Sequence, residues 1–232
     1  MAEYFEVSGT ATVLGKKVDR AGGMFQLEIL PGAFDQFLSG DRGDNVMNQD
    51  VILTTDHMIQ AHTILAREGK GTLIFDMNKN DKYKLLVMAS IRQDELATNA
   101  QTDIVNSLKQ GNLSELSVGL IPIRFSWNLE DEAKPVYEVI EAGLRELSLL
   151  PYGAMGKEAK FNMKSSESLE LGSDMVSLRV YDSTNNSLEL SDDSLIKSLE
   201  LAREEKNKEL IQEKEQQANL IDDILADVKD VI

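Results

Sequence analysis

The sequence predicts an α+β fold: a mostly antiparallel β-sheet or barrel, a few helices packed outside it, and a helical tail at its C-terminal end. Three observations predict it. Runs in which apolar and polar residues alternate recur through residues 1–163 and greatly outnumber helical stretches. The helical stretches found there are few and end at glycine. From Ser191 onward the spacing turns helical and the composition turns strongly polar.

Taken in order, "EYFEVSGTATVLGK" alternates as a strand that Gly9 and Gly15 break up. "MFQLEIL" is a second strand, stopped by Pro31-Gly32, and "GAFDQFLSG" is a short helix ending at Gly40. "DVILTTDH", "GTLIFDM" and "KYKLLVMASIR" are β-rich, and Gly69 and Gly71 suit a hairpin turn leading into the second of them. "TNAQTDIVNSLKQG" is the clearest helix. Its Ile104, Val105 and Leu108 share a face, polar residues can cap its start, and Gly111 sits at its end. "LSVGLIPIRFSW" and "PVYEVIEAGLRELSLL" are two further strands.

The rest differs in kind. Residues 164–190 are serine-rich and polar, which predicts a linker in which "MVSLRVY" is at most a lone strand. Residues 191–232 predict an acidic helix. Leu195, Leu199 and Ala202 keep one of its faces, Ile221, Ile224, Leu225 and Val228 another, and "REEKNKELIQEKEQQ" between them is almost wholly polar. A helix that polar buries no broad stripe by itself, so it is solvated, frayed or completed by a partner. No tandem repeat is visible.

Composition narrows the chemistry. The 232 residues are 42% hydrophobic, enough for one substantial domain with an appendage, or two small domains. No apolar run approaches membrane-spanning length, and "MAEYFEVSG" lacks the features of a signal peptide. With no cysteine, disulfides, thiolate metal sites and a cysteine nucleophile are excluded, and a reducing cytoplasm fits. The formal charge of −16 is repelled by phosphate backbones and anionic lipid, so neither nucleic acid nor membrane is expected as a partner. Residues 164–232 carry 17 acidic against 8 basic side chains, a net of −9.

Histidine is the scarcest informative residue. Only His57 and His62 are present, so imidazole acid–base chemistry at neutral pH falls to one of them. Their separation of five does not suit the helical i, i+4 metal pair, and no residue asks for a metal or organic cofactor. Ser117 in "SELSVGL" is followed by Val118 and Gly119, and Ser114 is the competing hydroxyl. Serine becomes a nucleophile only when a base takes its proton and a third group orients that base. Glu146 in "LRELSLL" alternates with Leu147 and Leu149 and shares a face with Ser148. By themselves these are also what ordinary strand residues look like. "REGKGTL" lacks the phosphate-loop spacing and the helix that would follow it.

Five segments occur in a telling order: "SGTATVLG", "LEILPGAF", "DHMIQAHTILAREGKGTL", "LKQGNLSELSVGL" and "GLRELSLLPYGAMGKEA". Together, over about residues 7–160, they resemble the tailed-phage prohead protease family, capsid-maturation serine peptidases related in fold to herpesvirus assemblins. The resemblance implies that residues 1–163 form the protease domain, with Ser117 as nucleophile, His57 as general base and Glu146 orienting the imidazole. Three positions depart from the family pattern. "GAM" stands where Pro-Ala-Asn is usual, Met58 follows the histidine in place of an acid, and Leu120 replaces the commoner aromatic.

The implied function is a serine endopeptidase, working in the host cytoplasm inside the procapsid on scaffold or major capsid protein and on itself, with homo-oligomerisation plausible. An alternative of another class is a protease-like capsid-assembly or scaffolding factor that acts through its C-terminal helix.

Overall fold

The computed structural model describes residues 2–40, 50–60, 63–80, 83–151, 162–165, 168–171, 177–180 and 190–229. The chain divides into two units, Met1–Leu190 and Ser191–Ile232. The first holds two open sheets. In one, the order is β10 (Asn162–Ser165), β11 (Ser168–Leu171), β1 (Tyr4–Val13), β7 (Lys84–Arg92) and β6 (Leu73–Asn78). In the other it is β12 (Ser177–Val180), β8 (Leu113–Asn128), β9 (Val136–Pro151), β3 (Phe25–Ile29) and β2 (Lys17–Arg20), with β4 (Ile52–Thr55) also on β9 and β5 (Ala66–Arg67) on β4. The fold is therefore α+β and rich in strands, an open-sheet version of the expected architecture rather than a closed barrel.

Alternation along the strands builds the core. β1 turns Phe5, Val7, Gly9 and Ala11 inward, and β7 turns Leu85, Val87, Ala89 and Ile91 inward, while the residues between them are more exposed. Gly9 does not end β1; the strand runs through it to a register shift between Thr10 and Thr12. α1 (Asp35–Ser39) is the expected short helix, closed by Gly40 at φ 83°, a left-handed turn that costs glycine little. α2 (Asn99–Lys109) is the expected long one. It opens with a capping box in which the Thr98 hydroxyl accepts from the Gln101 amide and the Gln101 side chain accepts from the Thr98 amide. Val105 and Leu108 are its buried residues, and Gly111 follows at φ 73°.

Three details lie beyond what the pattern shows. Gly71, at φ 67°, does make a turn, but β5 before it and β6 after it lie in different sheets, so the turn is a crossover and not a hairpin. Most strand pairs are antiparallel, as expected, and the others are parallel: β3 and β4 on β9, β11 on β1, and β12 on β8. Alternation reports which residues face inward but not the direction of the neighbouring strand, so an antiparallel reading is a default. The stretch expected as a linker, 164–190, contains β11 and β12, and the "MVSLRVY" strand is not alone, because β12 pairs Ser177–Val180 with Ser117–Leu120.

β8 and β9 are the spine of the second sheet, 16 residues each and paired antiparallel. The outer edge of β9 takes two short strands end to end. β3 covers Val136–Val139 and β4 covers Glu146–Leu149. This second placement fixes where the chain leaving β4 must go. The other unit is α3 (Asp192–Lys229), a single helix of 38 residues that begins with Asp192 and Asp193. Acidic residues in a first turn complement the helix dipole.

Candidate active site

Across the middle of the spine both faces are buried. Val118, Leu120, Leu147 and Leu149 are apolar core, whereas Ser117, Glu146 and Ser148 are polar and each is 0% exposed. Directly opposed residues of an antiparallel pair share a face, and so do residues two apart on one strand. Ser117 lies opposite Ser148, and Gly119 lies opposite Glu146, so these four positions form one patch. A patch of buried hydroxyls and a carboxylate is costly unless its members are hydrogen-bonded.

His57 supplies the partner. β4 runs parallel to β9 with Thr54 beside Ser148 and Thr55 beside Leu149, and then the backbone turns sharply. Asp56 and His57 both adopt left-handed conformations, φ 49° and 59°. This region costs a non-glycine residue about 1–2 kcal/mol, and Asp and His are among the side chains that tolerate it best. The turn is held by the Asp56 amide donating to the Leu149 carbonyl at 3.3 Å and the Met58 amide donating to the Thr55 carbonyl at 2.9 Å. The His57 amide donates to Ser148 Oγ at 2.9 Å.

The imidazole then meets the carboxylate, with His57 Nδ1 2.6 Å from Glu146 Oε1. The other oxygen, Oε2, accepts from Ser148 Oγ at 2.8 Å. The His57 side chain is 6% exposed and that of Glu146 is 0%. A carboxylate at this distance accepts, so Nδ1 carries the proton and Nε2 keeps its lone pair. In that tautomer Nε2 is the ring's acceptor.

Behind the turn, the Thr54 hydroxyl donates to the Met58 carbonyl at 2.6 Å and lies 3.1 Å from the Thr63 hydroxyl. Thr63 Oγ1 in turn donates to the Gln60 carbonyl at 2.9 Å and accepts from the Gln60 amide at 3.2 Å. These bonds tie the segment after His57 to a buried strand, so the position of the ring does not depend on its own bonds alone.

His57 and Glu146 are therefore in direct contact, and Ser117 stands across the ladder from Ser148, the residue that bonds both of them. Ser114 falls at the register shift between Leu113 and Glu115, off the regular pairing with β9. His62 lies outside the described residues. Sequence reasoning placed Ser148 on the face of Glu146 but missed its bonds, and it missed Thr54 and Thr63 altogether. Nothing local marks the last two as more than strand and loop threonines. Among the described residues no group of His, Asp and Glu is placed to hold a metal ion, and no helix is long and apolar enough to cross a membrane.

The sequence matches the family model of the caudovirus prohead serine proteases over residues 2–172. The chain belongs to that family. The match spans β1 to β11 and includes every residue of the His57–Glu146–Ser148–Ser117 patch, while β12 and α3 lie beyond it. Searches of curated proteins and of solved structures find no match. Prohead proteases are serine peptidases of capsid maturation that act inside the procapsid within the host, on capsid or scaffold proteins. The five ordered segments that resemble this family all lie within the match.

Proposed function

We propose that this prohead protease is an endopeptidase that cuts scaffold and capsid-protein segments, and itself, with Ser117 as nucleophile, His57 as general base and Glu146 as the group that orients His57 and stabilises its imidazolium. The observation that carries the reading is the 2.6 Å contact between His57 Nδ1 and Glu146 Oε1, buried on the face of the sheet that also bears Ser117. In the first step Ser117 Oγ forms a bond to the scissile carbonyl carbon and passes its proton to His57 Nε2. The imidazolium is held by Glu146 and then gives that proton to the leaving amine as the peptide bond breaks. Water repeats the sequence on the acyl-enzyme and regenerates the serine.

Ser117 is fully buried, so a substrate reaches the hydroxyl only where this face is uncovered. The test therefore supplies the natural context. The purified chain is mixed with the scaffold and capsid proteins of its own virion, and new termini are mapped by mass spectrometry over time. Discrete internal cuts in those proteins and in the chain itself are expected. Trimming from the ends alone, or no cutting, would overturn the endopeptidase reading.

We also propose that the C-terminal unit directs the protease into the assembling shell by packing against scaffold helices. Residues 203–214 of α3 are exposed, and their charges suit recognition through a helix face. Deleting residues 203–232 spares the buried Leu195 and Leu199 at the start of the helix. That truncation is expected to keep peptidase activity within about twofold while proheads lose the protease. Normal packaging of the shortened chain would refute the targeting role. Failure of proheads to assemble with the shortened chain, together with no cutting by the full chain, would favour the alternative, a protease-like capsid-assembly or scaffolding factor acting through its C-terminal helix.

A further inference from the structure

The triad needs three groups, yet the buried patch holds a fourth that touches two of them. Ser148 Oγ accepts from the His57 main-chain amide at 2.9 Å and donates to Glu146 Oε2 at 2.8 Å. A hydroxyl has one proton to give and lone pairs to receive with, and here both capacities are used on the catalytic candidates. We propose that Ser148 is a positioning residue of this peptidase. It locks the backbone of His57 and the carboxylate of Glu146 to each other, so that the Nδ1–Oε1 contact is held before substrate arrives. The inference rests on the triad reading and deepens it.

Three features make the role more than strand decoration. First, His57 sits at φ 59°, a conformation it would leave without compensation, and its amide has Ser148 as the acceptor. Secondly, Glu146 uses one oxygen for the imidazole and the other for Ser148, which fixes the rotation of the carboxylate about its own axis. Thirdly, Ser148 is the meeting point of three strands. Thr54 of β4 is beside it in parallel register and Ser117 of β8 is opposite it, so movement at Ser148 reaches the strand leading to the base and the strand bearing the nucleophile together. A ring turned by a fraction of an ångström no longer aims Nε2 at the serine proton, and such misplacement is felt mainly in the chemical step.

The test uses Ser148→Ala, which deletes the hydroxyl, and Ser148→Cys, which nearly keeps the volume but hydrogen-bonds weakly. Both are checked for folding by thermal melting and assayed on the protein substrate found in the mapping experiment. The expected result is kcat reduced about 10–100-fold in each variant with KM changed less than about twofold. In a Ser117→Ala background, which prevents self-cleavage, the downfield proton resonance of His57 Nδ1 is expected to broaden or move upfield when Ser148 is replaced. Should the alanine variant fail to fold, the cysteine variant and the resonance carry the same test. A folded variant with kcat within threefold of the parent, or an unmoved Nδ1 resonance, would overturn the proposal. If Ser117→Ala itself still cuts, the triad reading fails; if it is inactive while the Ser148 variants are not, only the role of Ser148 fails.

Discussion

Ser117→Ala should abolish internal cutting of the scaffold and capsid proteins and of the chain itself. Removing the nucleophile of a serine peptidase lowers kcat by about 10⁶-fold in well-studied cases, a loss that intact mass spectrometry over hours reads as no product. The substitution removes one oxygen from a fully buried strand position and adds no volume, so the fold should survive it. The effect on rate is therefore separable from any effect on stability, and equal melting temperatures would show that. Ser114→Ala is the matched control. Ser114 lies at the bulge next to Leu113, and its replacement should leave the fragment pattern as it was. Identical fragments from the parent and from Ser117→Ala would place the nucleophile elsewhere.

Glu146→Gln should cost about 10⁴-fold in the same assay. The substitution is nearly isosteric, but an amide is neutral and carries its own donors. It can no longer stabilise an imidazolium, and if its nitrogen faces Nδ1 it drives the ring proton to Nε2, where the base is needed. The loss is of the size seen when the acid of another serine protease's triad is made an amide. His57 then lacks its anionic partner in a site where its side chain is 6% exposed and water screens little. The second oxygen contact matters too, since Ser148 Oγ now faces a group that either accepts or clashes according to its rotation. The check is the single-turnover rate on capsid protein, with nitrogen chemical shifts of His57 reporting the tautomer. A rate within tenfold of the parent would remove Glu146 from the machinery.

Some of these features are legible in the sequence. Glu146 and Ser148 alternate with Leu147 and Leu149, so a strand with a polar face and an apolar face follows from the order of residues. α2 is equally legible, because Thr98, Gln101 and Gly111 are local signals acting within a few residues of one another. Ser117, His57 and Glu146 were singled out because the chain has only two histidines and because five segments stand in a family's order. Each of these inferences uses either near neighbours or a rare residue type.

Other features depend on residues far apart. Alternation says that Glu146 and Ser148 face away from the apolar core, and the ordinary expectation for such a face is water; instead both are 0% exposed. The reason is that β9 is a central strand, flanked by β8 on one edge and by β3 and β4 on the other, and strand order is set by long-range pairing. The contact of His57 with Glu146 spans 89 residues, and it forms because β4 runs parallel to β9 and ends in two left-handed residues. Similarly, nothing local in "MVSLRVY" shows that β12 pairs with Ser117–Leu120. The sequence by itself gave most of the elements and the family, and it singled out three candidate side chains, because periodicity, caps and rare residues are local. Only the tertiary structure decided that the polar face is buried, that Ser148 bonds both His57 and Glu146, and which strands are neighbours. Those depend on which distant backbones exchange hydrogen bonds, and a period of two is the same for every partner a strand could choose.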